Sequence, residues 1–85
     1  MTLTLTPDVV LTDTGHGAVL LDERHGRYFN LNATGSFVLH ALLDGAGHDQ
    51  AADRLRERYG IGTQQAHTDV TALVDALCAA KLAHA

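Results

Sequence analysis

Tryptophan is absent from this sequence, cysteine, methionine and proline occur once each, and two tyrosines and two phenylalanines supply all the aromatic mass. A lone cysteine, Cys78, forms no internal disulfide, which excludes the stapled framework of small secreted domains and points to a reducing cytoplasm. Long apolar runs are missing too: none approaches the ~20 residues of a membrane-spanning helix. The opening Met1-Thr2-Leu3-Thr4-Leu5-Thr6 lacks the charged and apolar blocks of a signal peptide. Cations are scarce, with six Lys and Arg against ten Asp and Glu. The resulting charge of -4 argues against a general affinity for nucleic acid or acidic membranes.

What remains is enough for one folded unit. The 85 residues are 46% hydrophobic, mostly Leu, Ala and Val, and show no repeat or linker, so residues 1–85 read as a single domain. Three short runs with β character come first. Val9-Val10-Leu11-Thr12 is apolar and β-branched, Ala18-Val19-Leu20-Leu21 follows the break at Gly15 and Gly17, and Arg27-Tyr28-Phe29-Asn30-Leu31 alternates after Asp22-Glu23-Arg24-His25-Gly26. Together they predict a three-stranded antiparallel meander.

Helical spacing takes over at Asn32, a good N-cap, with Thr34, Phe37, Val38, Ala41 and Leu42 forming a core stripe that ends at Asp44-Gly45-Ala46-Gly47. A second helix is predicted from about Asp49 to Tyr59, with Ala51, Ala52, Leu55 and Tyr59 on its apolar side. Thr63 is placed as the cap of a third helix carrying Ala66, Val70, Leu73, Val74 and Leu77, and Lys81 to Ala85 is expected to fray. The order predicts an α+β, winged-helix-like fold: three strands, then three helices.

No constellation for catalysis emerges. The six histidines show neither the i, i+4 pair nor the Cys-X-X-Cys spacing that gathers metal ligands, so they read as solvent-exposed and no metal or cofactor is expected. Cys78 has only Lys81 as a nearby cation and reads as a packed or half-exposed thiol. Gly15-His16-Gly17 lacks the helix and lysine of a phosphate loop. The informative feature is the third strand, whose outer edge offers unpaired backbone groups to an incoming peptide.

The stretch Gly26-Arg27-Tyr28-Phe29-Asn30-Leu31-Asn32-Ala33-Thr34-Gly35 through Leu42-Leu43-Asp44-Gly45 resembles the signature of the PqqD-like family. A Leu-Asn pair closes the strand, Ala33-Thr34-Gly35 opens the helix and Leu-Leu-Asp-Gly ends it. The likeness continues at Tyr59-Gly60 and Asp69-Val70, over nearly the whole chain. The resemblance implies a non-enzymatic recognition element for ribosomally made, modified peptides. The lack of Trp sets the chain apart from the quinone-cofactor branch and towards the stand-alone lasso-peptide type.

That resemblance implies a precursor leader peptide as partner, paired as an extra strand on the third strand. It further implies hand-over to a stand-alone cysteine-type leader peptidase, with the macrolactam-forming cyclase as a further partner. The strand wall would be Arg27, Tyr28, Phe29, Asn30 and Leu31; the helix wall would be Ala66, Asp69, Val70, Leu73, Val74 and Leu77. Two other readings stay open from the residues alone. One is a winged-helix DNA-binding regulator, disfavoured by Asp69 and Asp75 on the last helix; the other is a homodimerisation module using the same edge.

Overall fold

In the computed structural model, residues 3–84 are described. Met1 and Thr2, at the head of the segment read as lacking a signal peptide, and Ala85, at the end of the tail expected to fray, lie outside the described residues.

Burial alternates strictly along β3 (Gly17–Asp22), as in a central strand with one covered face: Ala18, Leu20 and Asp22 are buried. β3 pairs antiparallel with β2 (Val9–Asp13) on one side and β4 (Arg27–Asn32) on the other. The register sets Leu11, Leu20 and Phe29 in one inward row and Val10, Leu21 and Tyr28 in an outward row. Gly17 is held to glycine by close approach, because a Cβ there would collide with the Leu31 carbonyl of β4.

α1 (Ala33–Leu43) starts where the Asn32 Oδ1 accepts the Gly35 N–H at 2.8 Å, the cap the sequence predicts. Val38, Ala41 and Leu42 are buried as expected and Thr34 and Phe37 are half-buried, but Ser36 and Leu39 are buried as well. The apolar stripe is too narrow an account because α1 is covered on two sides, by the sheet and by the other helices. α2 (His48–Tyr59) starts one residue earlier than predicted, buries Ala51, Ala52 and Leu55, and ends at Gly60 in the left-handed conformation. The Tyr59 ring meets Phe37 edge to face, with centroids 5.7 Å apart.

α3 (Thr63–Ala79) corrects one expectation, since Thr63 is its first helical residue and Gly62 holds the N-cap position without a side-chain bond. Its C-terminus corrects another. The Lys81 N–H donates to the Cys78 carbonyl (3.0 Å) and the Leu82 N–H to the Leu77 carbonyl (2.9 Å), with Lys81 left-handed at φ 61°. This paired closure turns the chain back rather than letting it fray. Leu82 and Ala83 are buried, and β5 (Ala83–His84) pairs with β1 (Thr4–Leu5), a small second sheet the sequence reading missed. The fold is α+β and winged-helix-like, three antiparallel strands in one sheet followed by three helices.

Candidate functional site

The neighbouring hairpin determines which backbone groups β4 leaves free. The Thr14 N–H donates to the Gly17 carbonyl (3.1 Å) and the Glu23 N–H to the Asp8 carbonyl (3.0 Å). Antiparallel partners alternate between bonded and non-bonded pairs. Val19 and Leu21, in step with Gly17 and Glu23, therefore direct their N–H and C=O groups towards β2, and Ala18, Leu20 and Asp22 direct theirs towards β4. Their partners there are Leu31, Phe29 and Arg27. Tyr28 and Asn30 keep their backbone groups on the outer edge, where no strand lies among the described residues.

A groove follows that edge because α3 packs on α2, α1 and β5 and leaves a seam beside β4. At one end lies a cleft of ≈ 380 Å³. β4 contributes Asn30, Leu31 and Asn32 to it, α1 contributes Thr34, Gly35 and Val38, and α3 contributes Asp69, Ala72 and Leu73. Its floor is apolar and its rim polar. Asp69 is half-buried there and accepts from Gln65 Nε2 at 2.7 Å. At the other end a recess of ≈ 70 Å³ lies between Arg27, Tyr28 and Phe29 and the chain at Ala80 and Leu82.

Arg27 has a structural duty at that end. Its guanidinium donates to Asp22 Oδ2 (3.0 Å) and to the Ala80 carbonyl (3.1 Å), tying β4 to the end of α3. Asp22, 4% exposed, also accepts from the amides of Arg24 and His25 and faces His25 Nδ1 at 2.9 Å. Burial alone would raise its pKa, but the bonds from Arg27 and His25 and the charge of His25 outweigh it and lower the carboxyl to about 2.

The structure divides the residues expected at the site. Asp69, Leu73 and Val74 are half-buried, with Asp69 and Leu73 on the cleft. Ala66, Val70 and Leu77 are at most 1% exposed and lie in the core, because the same helical stripe seals α3 onto α1 and α2. On β4, Phe29 is half-buried and Leu31 buried on the inner face, whereas Tyr28, 71% exposed, and Asn30 face outward. Sequence reasoning missed Asn32, Thr34, Gly35, Val38 and Ala72 as cleft lining, and Ala80 and Leu82 beside β4. Ala72 had a signal, since it follows Asp69 at i+3 on one helix face. Cys78 is exposed, where the sequence predicts a packed or half-exposed thiol, and α3 carries no Lys or Arg with which to approach nucleic acid.

The family model for coenzyme PQQ synthesis protein D (PqqD) matches residues 17–83. The chain belongs to the PqqD family. The matched span runs from the start of β3 into β5 and so includes the free edge and both walls of the groove. Two solved structures share this PqqD-type fold. One is a lasso peptide synthetase B1 complexed with the leader peptide, 33% identical over 100% of both chains with a TM-score of 0.92. The other is TbiB1 in complex with the TbiA(beta) leader peptide, 25% identical over 99% of this chain and 95% of that one, with a TM-score of 0.86. No curated protein matches.

Proposed function

We propose that this domain binds the leader segment of a ribosomally synthesised lasso precursor peptide by adding it as a strand to β4. The observation that carries the reading is the outward backbone of Tyr28 and Asn30 beside a groove walled by α3, in a chain whose structural relative is a leader complex. In strand addition, main-chain bonds supply affinity and flanking pockets read alternate side chains. The contacting set we infer is the β4 edge from Arg27 to Leu31, with Asp69, Leu73 and Val74 on the helix side and Ala72 beside them.

The domain acts without catalysis of its own, in the cytoplasm, and delivers the leader to a separate cysteine-type peptidase and to the macrolactam-forming cyclase. Its contribution is a raised effective concentration of substrate at those enzymes. The outward row Val10, Leu21 and Tyr28 supports this, because it is apolar, lies on the sheet face opposite the core row, and holds two of the three exposed large hydrophobic side chains among the described residues. No helix among the described residues is long and apolar enough to cross a membrane.

Fluorescence anisotropy of a labelled leader from a lasso precursor peptide tests the proposal. Saturable one-to-one binding that survives moderate salt is expected. Absence of saturable binding by the folded domain refutes it.

A further inference from the structure

Away from the groove, the fold gathers metal-ligating side chains that sequence spacing leaves apart. His48 and Asp49 open α2, His67 lies in the second turn of α3, and the packing of the two helices brings the three together. The rings of His48 and His67 lie nearly parallel, 15° apart in orientation with centroids 5.8 Å apart. Asp49 Oδ1 is 3.7 Å from His67 Nδ1, and one donor atom from each residue falls within 4.8 Å of the others. The Thr71 hydroxyl, one turn beyond His67, lies 2.8 Å from His48 Nε2 and restrains that ring.

We propose that His48, Asp49 and His67 bind one divalent transition ion of the zinc class, bridging α2 to α3. Two imidazoles and a carboxylate suit such borderline ions, whereas magnesium and calcium prefer oxygen alone. Ligands held ~2.0–2.2 Å from a tetrahedral ion stand about 3.4 Å from each other, so the cluster closes by rotation of side chains that are exposed or half-exposed. The start of α2 is the positive end of its dipole, and the Asp49 carboxylate in that first turn offsets it. The bridge also constrains α3, which carries Asp69, Ala72 and Leu73, but the metal site does not depend on the leader reading.

The test uses tag-free protein, titrated calorimetrically with zinc chloride and separately with nickel chloride, at a pH about one unit above the ~6.5 of free imidazole. One ion per chain and a raised melting temperature are expected. Loss of even an outer-shell partner typically costs ~10–100-fold in metal affinity, so His48→Ala and His67→Ala should each cost at least as much, while His16→Ala changes nothing. Circular dichroism and thermal melting of the metal-free variants show that they are folded. No saturable binding, equal binding by the His48→Ala/His67→Ala double variant, or one ion per two chains by sedimentation overturns the proposal.

Discussion

Replacing Asn30 by proline separates the fold from the site. The Asn30 N–H points to the open edge, so the substitution removes no bond of the β3–β4 ladder, and edge strands accept proline on that side. Phe29 before it is already extended, as proline requires of its predecessor. One lost backbone hydrogen bond is worth ~0.5–1.5 kcal/mol net, or about 2- to 13-fold in Kd. If the leader carbonyl is also left unpaired against the apolar floor, the loss rises to ~1–3 kcal/mol, or about 5- to 160-fold. The assay is anisotropy of a labelled leader, with thermal melting run on the same samples. Leader affinity should fall within that range while the melting temperature holds nearly constant. Phe29→Pro supplies the contrast, since it removes a donor to Leu20 and should lower stability instead. A folded Asn30→Pro whose Kd lies within about twofold of wild type would refute strand addition at β4.

Four further outcomes are expected. Leu73→Asp sets a second carboxylate beside Asp69 on the cleft and should weaken leader binding at least about tenfold, ~1.4 kcal/mol, by the same anisotropy assay. Leu82→Ala should destabilise by ~2–5 kcal/mol in urea unfolding, where a frayed tail would give almost no change. Lys81→Gly should stabilise by up to ~1.5 kcal/mol, the relief of a left-handed residue (~1–2) less the backbone entropy of glycine (~0.5–1), again by urea midpoint. Because the Asp22 carboxyl is lowered from 3.8 to about 2, its contribution is complete above pH 3.8 and fades as pH falls towards 2; urea midpoints of wild type and Asp22→Asn should therefore converge over that interval.

The order of elements was readable because local signals agree with the global fold: alternating strands, the Asn32 cap, and glycines where the chain must turn. The errors have physical causes. The final residues look like a frayed end because β5 is only two residues long and its partner β1 is equally short, so neither carries a periodic pattern. Lys81 hides the helix stop by occupying a left-handed position where glycine is the usual marker. Likewise the α3 stripe is one continuous pattern in sequence. Only packing shows that Ala66, Val70 and Leu77 are sealed while Leu73 and Val74 stand at its rim.

The β4 edge and the α3 wall answer different questions about a bound leader. Backbone direction and side-chain direction alternate together along β4, so Phe29 and Leu31 bond to β3 and fill the core, while Tyr28 and Asn30 turn both backbone and side chain away. Main-chain pairing at Tyr28 and Asn30 is blind to the identity of the leader residues. Discrimination must then arise where side chains of the added strand meet side chains of the domain, which is the cleft under Asp69, Ala72 and Leu73 and the recess at Ala80 and Leu82. On the proposed strand addition, the signature from Arg27 to Leu43 secures the fold and the edge, and leader choice falls to α3 and the turn that follows it. Exchange of residues 69–73 between two such domains should move leader preference more than exchange of Tyr28 and Asn30, whose main chain supplies the proposed pairing.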